Sequence, residues 1–255
     1  MGRYHLVNIL AHGLTSSLFF VYLHMLTKGY LTLSTVSSLA FALHPVHVES
    51  VANIAHFAEM ICASCFLLCQ IFFMKSCKKS DETDIPTLLL SCVFYILSSL
   101  AKEIGLTAIG VTTLWSAVFL LPTLNSRRFN SAFTQFILRG LVLTAGLVVI
   151  LAMRSNAAGN GSGTPRQYFF FEDNPAAYED SLVVRTMSYM HCHSVQAGVL
   201  LWPYPARFDY SAPVITPVSV ACLCKWLTVC RRFLPLPTPE TARRYFCIQR
   251  LRSGQ

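Results

Sequence analysis

Charge is scarce in this chain. Asp, Glu, Lys and Arg make up 13% of its 255 residues, and only 12 residues are acidic. Set against 54% hydrophobic residues and a mean hydropathy of +0.51, this excludes an ordinary soluble composition. Other signatures are missing too. The start, Met1-Gly2-Arg3-Tyr4-His5, has one basic residue and no small-residue cleavage site after the apolar run that follows, and does not read as a removable signal peptide. Leu6 stands where myristoylation favours Ser or Thr. No 34-residue helical repeat recurs. Ten cysteines invite a zinc or disulfide reading, yet Cys62, Cys65 and Cys69 lie at helical spacing in an apolar run with no second Cys-x-x-Cys or His-x-x-x-His nearby, and read as membrane-packing residues. His191, Cys192 and His193 are adjacent, so on a helix they point in different directions.

What remains is a polytopic all-α membrane pattern. Seven apolar runs can be drawn, at 4–26, 31–44, 57–75, 86–101, 105–122, 139–153 and 182–203. Several are short for a full span. The formal charge of +8 raises nucleic acid or anionic lipid as a partner, but the basic residues cluster in loops and at the C-terminal end, so the expected partner is membrane lipid and not nucleic acid. Short, positively charged loops stay cytoplasmic. With residue 1 starting outside the cytoplasm, Lys28, Lys75, Lys78, Lys79, Arg127, Arg128, Arg139 and Arg207 share the cytoplasmic face, and Arg3, Lys102, Arg154 and Arg166 the other. That topology puts His44 to Glu49, Lys102-Glu103 and the loop 154–181 together on the lumenal side. The sequon Asn160-Gly161-Ser162 falls in the same loop and is a candidate glycosylation site. Residues 1–213 read as the membrane domain and residues 214–255, with Pro235, Pro237, Pro239 and several arginines, as a basic, divergent tail.

Ionisable groups at bilayer depth are rare unless they line a polar cavity or a reaction site. His44-Pro45-Val46-His47-Val48-Glu49 is such a cluster. Pro45 removes a backbone donor and disfavours helix at His44, so the segment breaks or kinks a helix. His47 then suits a hydrogen bond or proton shuttle, and Glu49 suits base or metal duty; the alternative is that both cap a re-entrant turn. Lys102 and Glu103 cannot face each other on a helix, but in a tight turn each reaches a different partner, and Lys102 suits a phosphate. The alternative is a solvated hairpin tip. Arg185 needs an anion or carbonyls if it stays inside, or snorkels to the surface. The loop from Arg166 to Ala177 mixes Tyr168, Phe169, Phe170 and Phe171 with Glu172 and Asp173, as an interfacial belt or as a flap with Asp173 as its polar contact. No three metal ligands stand at recognisable spacing.

Tyr4-His5-Leu6-Val7-Asn8, His44-Pro45-Val46-His47-Val48-Glu49-Ser50-Val51-Ala52, Lys102-Glu103-Ile104-Gly105 and Asp173-Asn174-Pro175-Ala176-Ala177 occur in that order. Together they resemble the transmembrane and tetratricopeptide-repeat proteins, endoplasmic-reticulum O-mannosyltransferases that modify cadherins, over about residues 3–213. The resemblance implies a GT-C-like bundle in the endoplasmic reticulum membrane, a dolichyl phosphate mannose donor, and Ser or Thr acceptors on lumenal proteins such as cadherins. It also implies a partial chain, one that lacks the family's first helix, acidic lumenal loop and repeat domain. Where the family commonly reads Gly-Arg-Ala-Asp/Glu, this chain has His56-Phe57-Ala58-Glu59: Phe57 replaces a basic residue and Glu59 is retained in kind. An inverting sugar transfer needs a carboxylate to take the acceptor proton and positive groups to hold the departing phosphate. Glu49, supported by His47 and His44, is the expected catalytic carboxylate; Lys102, Glu103, Glu59, Asp173 and Arg185 are the expected donor or acceptor contacts. The competing reading is a non-catalytic membrane protein that binds a dolichyl-linked lipid or a partner subunit. A transporter is disfavoured because no inverted repeat is visible and the charges sit near run ends.

Overall fold

The computed structural model describes residues 2–53, 56–77, 82–158 and 175–201. Two units divide the chain, Met1–Gly161 and Ser162–Gln255. The first carries helices α1 (Gly2–Leu26), α2 (Leu31–Ala42), α3 (Val48–Ala52), α4 (Phe57–Ser76), α5 (Ile85–Ala101), α6 (Ala108–Leu120) and α7 (Phe129–Ala158). Single 3-10 segments at Pro45–His47, Glu103–Thr107 and Leu121–Thr123 link them.

Among the described residues the seven apolar runs of the sequence fall mainly in helix, and the result is an all-α polytopic membrane architecture. Among the described residues, four stretches are long and apolar enough to cross a membrane: His5–Leu26, Phe57–Ser76, Glu103–Thr123 and Phe129–Asn156. The pair Leu31–Ala42 and Pro45–Ala52, bent by 45°, makes a fifth if it is one broken span. The helix α5 is apolar but has 17 residues, about 26 Å at 1.5 Å per residue.

Packing is inverted relative to a soluble protein. Large apolar side chains face outward, with Leu10 63% exposed and Leu114 66% exposed, as hydrocarbon permits. Many of the buried positions are small hydroxyl residues: Ser34, Ser64, Ser91, Ser98, Ser99, Thr112 and Ser116. Small residues let helix backbones approach where no water is available to drive association. Along the antiparallel α4–α5 seam, Ser98 Oγ donates to the Cys62 carbonyl at 2.9 Å and Ser91 Oγ to the Cys69 carbonyl at 2.8 Å. Both pairs are spaced by seven residues, two helical turns. This gives Cys62 and Cys69 their packing role, since burial pushes neither toward a partner cysteine and both are free thiols. Phe73, Cys77, Leu88 and Leu143 close the core one or two turns further along.

The direction of each helix follows from its cross-links. Asn8 Nδ2 donates to the carbonyls of Val51 and Asn53, and Thr15 Oγ1 meets Ser64 Oγ at 2.8 Å, so α1 and α4 run in parallel. The helices α5 and α7 return. At one end of the bundle Arg139 of α7, 1% exposed, donates from Nε to Thr83 Oγ1 and from Nη2 to the Glu82 carbonyl. Burial raises the neighbouring Cys77 thiol above its usual range, partly opposed by the Arg139 guanidinium. At the other end Arg154 of α7 reaches Ser99 and Glu103, and the fifteen residues between the two arginines separate these ends by about 22 Å. The basic end carries Lys28, Lys75, Arg127 and Arg128 in its turns. The opposite end gathers the His44–Glu49 segment and the Lys102-Glu103 turn.

The second unit has a 3-10 turn, Pro175–Tyr178, and the helix α8, Leu182–Leu201. Ser181 Oγ accepts from Val184 N at the start of α8, and Ala176 and Ala177 are buried.

Candidate active site

The helix α2 ends where the sequence requires. His44 is extended (φ −67°, ψ 127°), Pro45 opens the 3-10 turn, and His44 Nδ1 accepts from Val46 N at 3.2 Å. The turn folds the His47 ring against Phe41 at 4.4 Å and against His12 at 5.2 Å between centroids, with His44 at 6.2 Å from His47. His12 Nε2 lies 3.0 Å from the Ala42 carbonyl, which only accepts, so His12 carries its proton on Nε2. His12 of α1 and His47 of the break thus flank Phe41, and His44 stands against His47. No group of three or more His, Cys, Asp or Glu among the described residues is arranged to hold a metal ion.

The break then returns through α3 to the first turn of α4. Here Glu49 and Glu59 part company. Glu49 is 58% exposed on its side chain and has His56 Nε2 at 3.8 Å. Glu59 is one-third exposed and has both carboxylate oxygens occupied: Ser50 Oγ donates to Oε2 at 3.1 Å, and Lys102 Nζ forms an ion pair with Oε1.

Lys102 is aimed by its turn. The helix α5 stops at Ala101, Lys102 is extended (φ −157°, ψ 150°), and the chain re-enters a 3-10 segment closed by Gly105 N to the Lys102 carbonyl at 3.0 Å. Gly105 lies flush on the end of α5: a Cβ there would stand 2.6 Å from Ser99 N and 2.5 Å from the Ser98 carbonyl oxygen. Arg154 clamps the same turn from α7, with Nη1 donating to Glu103 Oε1 at 2.6 Å and Nη2 to the Ser99 carbonyl. Lys102 and Glu103 therefore serve different partners, one on α4 and one on α7.

Next to the Lys102–Glu59 pair lies a cavity of about 380 Å³. Its α4 wall is Glu59, Cys62, Ala63, Phe66 and Leu67, which is one face of a helix at i, i+3, i+4, i+7 and i+8. From Glu59 to Leu67 that face is about 12 Å long. Thr15 and Phe19 of α1, Phe41 of α2, and Ile104 and Thr107 beyond α5 complete the wall. Among all these lining residues only Glu59 and Lys102 are charged, and both sit at the end where α4 begins. An elongated apolar cleft with one ion pair at its head fits an amphiphile with an anionic head group.

The sequence reading placed His44 to Glu49, Lys102-Glu103 and the loop 154–181 on one side, with Glu59 a contact implied by the resemblance; the structure has His44, His47, Glu49, Glu59, Lys102 and Glu103 at one end of the first unit. Glu59 and Lys102 line the cavity, Glu103 turns to Arg154, and Glu49 lies on the exposed side of α3. Arg185 belongs to the second unit, where its Nε is buried without a hydrogen-bond partner. Asp173 and Asn160 lie outside the described residues, as does most of the aromatic loop. Two site residues escaped sequence reasoning. Ser50 had no signal beyond lying next to Glu49. Arg154 figured only as a charge at the end of an apolar run, and its partners lie 51 and 55 residues upstream.

The class defined so far is a polytopic all-α membrane protein with a charge-headed apolar cavity. A family model described as Protein O-mannosyl-transferase TMTC, DUF1736, matches residues 161–230, which runs past Val214 into the stretch read from sequence as a divergent tail. The chain is 30% identical over 264 residues to the mouse (Mus musculus) protein O-mannosyl-transferase TMTC4, covering 88% of this chain and 35% of that protein. It is 31% identical to the human TMTC4 over 85% of this chain and 33% of that protein, and 31% identical to the mouse TMTC2 over 86% of this chain and 26% of that protein. The chain belongs to the TMTC family. It spans about a third of the length of these relatives or less. No solved structure matches it.

Proposed function

We propose that the protein takes part in O-mannosyl transfer at the endoplasmic reticulum membrane, moving mannose from dolichyl phosphate mannose to Ser or Thr of lumenal proteins of the cadherin type. The observation that carries this reading is the lining of the cavity: an apolar face of α4 some two turns long, headed by the Lys102–Glu59 pair. A prenyl chain fits the wall, and the lysine suits the phosphate that joins it to the sugar. At about 380 Å³ the cavity takes only the head-proximal part of a polyprenyl chain, leaving the rest to the bilayer along the exposed apolar faces. The names of the relatives support mannose as the sugar and protein as the acceptor.

One observation favours a second reading, binding without turnover. Lys102 is already neutralised by Glu59, and Phe57 stands where the resemblance implies a basic residue. The test is transfer in microsomes that contain the 255-residue chain, with radiolabelled dolichyl phosphate mannose and a cadherin-domain acceptor. Transferase function gives acceptor-bound mannose above that of vector microsomes. Retention of the lipid with no labelled acceptor, by wild type and by Phe57→Arg alike, establishes the binding reading instead.

A further inference from the structure

We propose that Lys102 is an exchangeable counter-ion, and that Glu59, not the exposed Glu49, is the carboxylate that accepts the proton in transfer; this rests on the donor reading above. Three observations lead there. The first is position. Glu59 forms part of the cavity wall, whereas Glu49 is 58% exposed and faces His56 outside it. The second is atom-level order. Ser50 holds Oε2 of Glu59 at 3.1 Å while Lys102 holds Oε1, so withdrawing the lysine frees one oxygen of a carboxylate that stays oriented by the other. The third is mobility of the cation against fixity of its base: the Lys102 backbone is pinned by Gly105, the Cys62 thiol and the Arg154 clamp on its neighbours, while its side chain is a flexible stem one-third exposed at the cavity head.

A phosphate anion cannot sit beside Lys102 without competing with Glu59 for it. When the phosphate of a lipid-linked sugar enters the cavity head, Lys102 turns to the phosphate and Oε1 of Glu59 is left unpaired in an apolar cleft. In that state Glu59 takes the proton of an acceptor hydroxyl. The hydroxyl oxygen bonds the sugar C1, the C1–O bond to phosphate breaks, and the phosphate leaves with the bonding pair against Lys102. Once the lipid phosphate departs, Glu59 gives its proton to water and pairs with Lys102 again. In the empty cleft the carboxylate is quenched; seating the donor arms it. Glu103 cannot substitute, because Arg154 holds it at 2.6 Å on the far side of the turn.

The exchange makes a prediction of unusual sign. Glu59→Gln removes the competitor for Lys102 and keeps the volume and the Ser50 contact. Binding of a radiolabelled polyprenyl phosphate to the purified 255-residue chain therefore tightens, by about fivefold or more. Binding of the matching polyprenol, which has no phosphate, stays where it was. Turnover by the same variant falls by about 10²- to 10⁴-fold, the usual contribution of a positioned proton acceptor. Weaker phosphate-lipid binding in Glu59→Gln, or an equal change for the polyprenol, overturns the exchange. Turnover that survives Glu59→Gln and is lost in Glu49→Gln overturns the assignment of the base and leaves the donor reading intact. If the wild-type chain binds polyprenyl phosphate no better than polyprenol, the cavity is not a donor site, and the donor reading falls together with the inference built on it.

Discussion

Replacing Lys102 by methionine is expected to reduce sugar transfer by about 10²- to 10³-fold, the range found when one preorganised donor to a developing anion is removed. Methionine keeps the length and apolar stem of the lysine, so the wall of the cavity survives and the loss reports charge. Two things change at once. The departing phosphate loses its cation, and Glu59 loses the partner that holds it ionised in a cleft of otherwise uncharged residues. The first effect raises the barrier for C1–O cleavage. The second leaves a carboxylate, one-third exposed, with the Ser50 hydroxyl as its hydrogen-bond donor. Lys102→Arg restores charge but brings a planar fork in place of a compact ammonium, and its partial rescue separates a charge role from a purely structural one. A melting temperature in detergent close to wild type for Lys102→Met, with transfer lost, is the expected combination. Full transfer by Lys102→Met would remove the lysine from the mechanism.

The second large effect is structural. Gly105→Val is expected to destabilise the bundle by about 3 kcal/mol, the upper end of overpacking costs, and to abolish lipid binding with it. The reason is what the new side chain meets. At Gly105 the nearest atoms are the backbone of Ser98 and Ser99, which cannot swing aside without unwinding the end of α5. That unwinding takes Ser99 from Arg154 and re-aims Lys102. Gly146 offers the contrast: its Cβ would stand 2.7 Å from the Cys92 Sγ, the end of a side chain that can change rotamer, so Gly146→Ala should cost less. Gly110 has nothing within 4 Å of its would-be Cβ, and Gly110→Ala should be tolerated. Thermal melts of the three variants in detergent check the order. A Gly105→Val protein as stable as Gly110→Ala would show that the turn is not packed as described.

Much of this was legible in the chain. Apolar runs marked every long helix of the first unit, though not the short α3, because hydrocarbon leaves the backbone no other way to satisfy its hydrogen bonds. Pro45 marked the break, since it forces the residue before it out of helix, and His44 is extended as a result. The paired residues Lys102-Glu103 announced a turn whose members diverge. Run ends were less legible: 139–153 is the centre of a helix that extends from Phe129 to Ala158, and Arg139 is carried inside α7 by partners distant in sequence. The choice between Glu49 and Glu59 was not legible either. Both are single carboxylates beside the same motif, and what separates them is the placement of α3 and of the first turn of α4, which leaves one exposed and brings the other to Lys102, 43 residues on. Spacing along the chain carries no record of that contact. The cavity wall escaped for the same reason, although the stripe from Glu59 to Leu67 shows on a helical projection once the helix is known.

The claim on which all else rests is that a phosphate-bearing prenyl chain lies along α4 with its head at Lys102. Photoaffinity labelling of the purified protein with a diazirine-bearing polyprenyl phosphate, adducts being located by mass spectrometry, tests it most directly. If the cavity holds the donor, adducts fall on the Cys62–Leu67 face of α4 and on Phe19 of α1, and Lys102→Met removes them. Adducts confined to the outward faces of α5, α6 and α7, with the same yield in Lys102→Met, would contradict it.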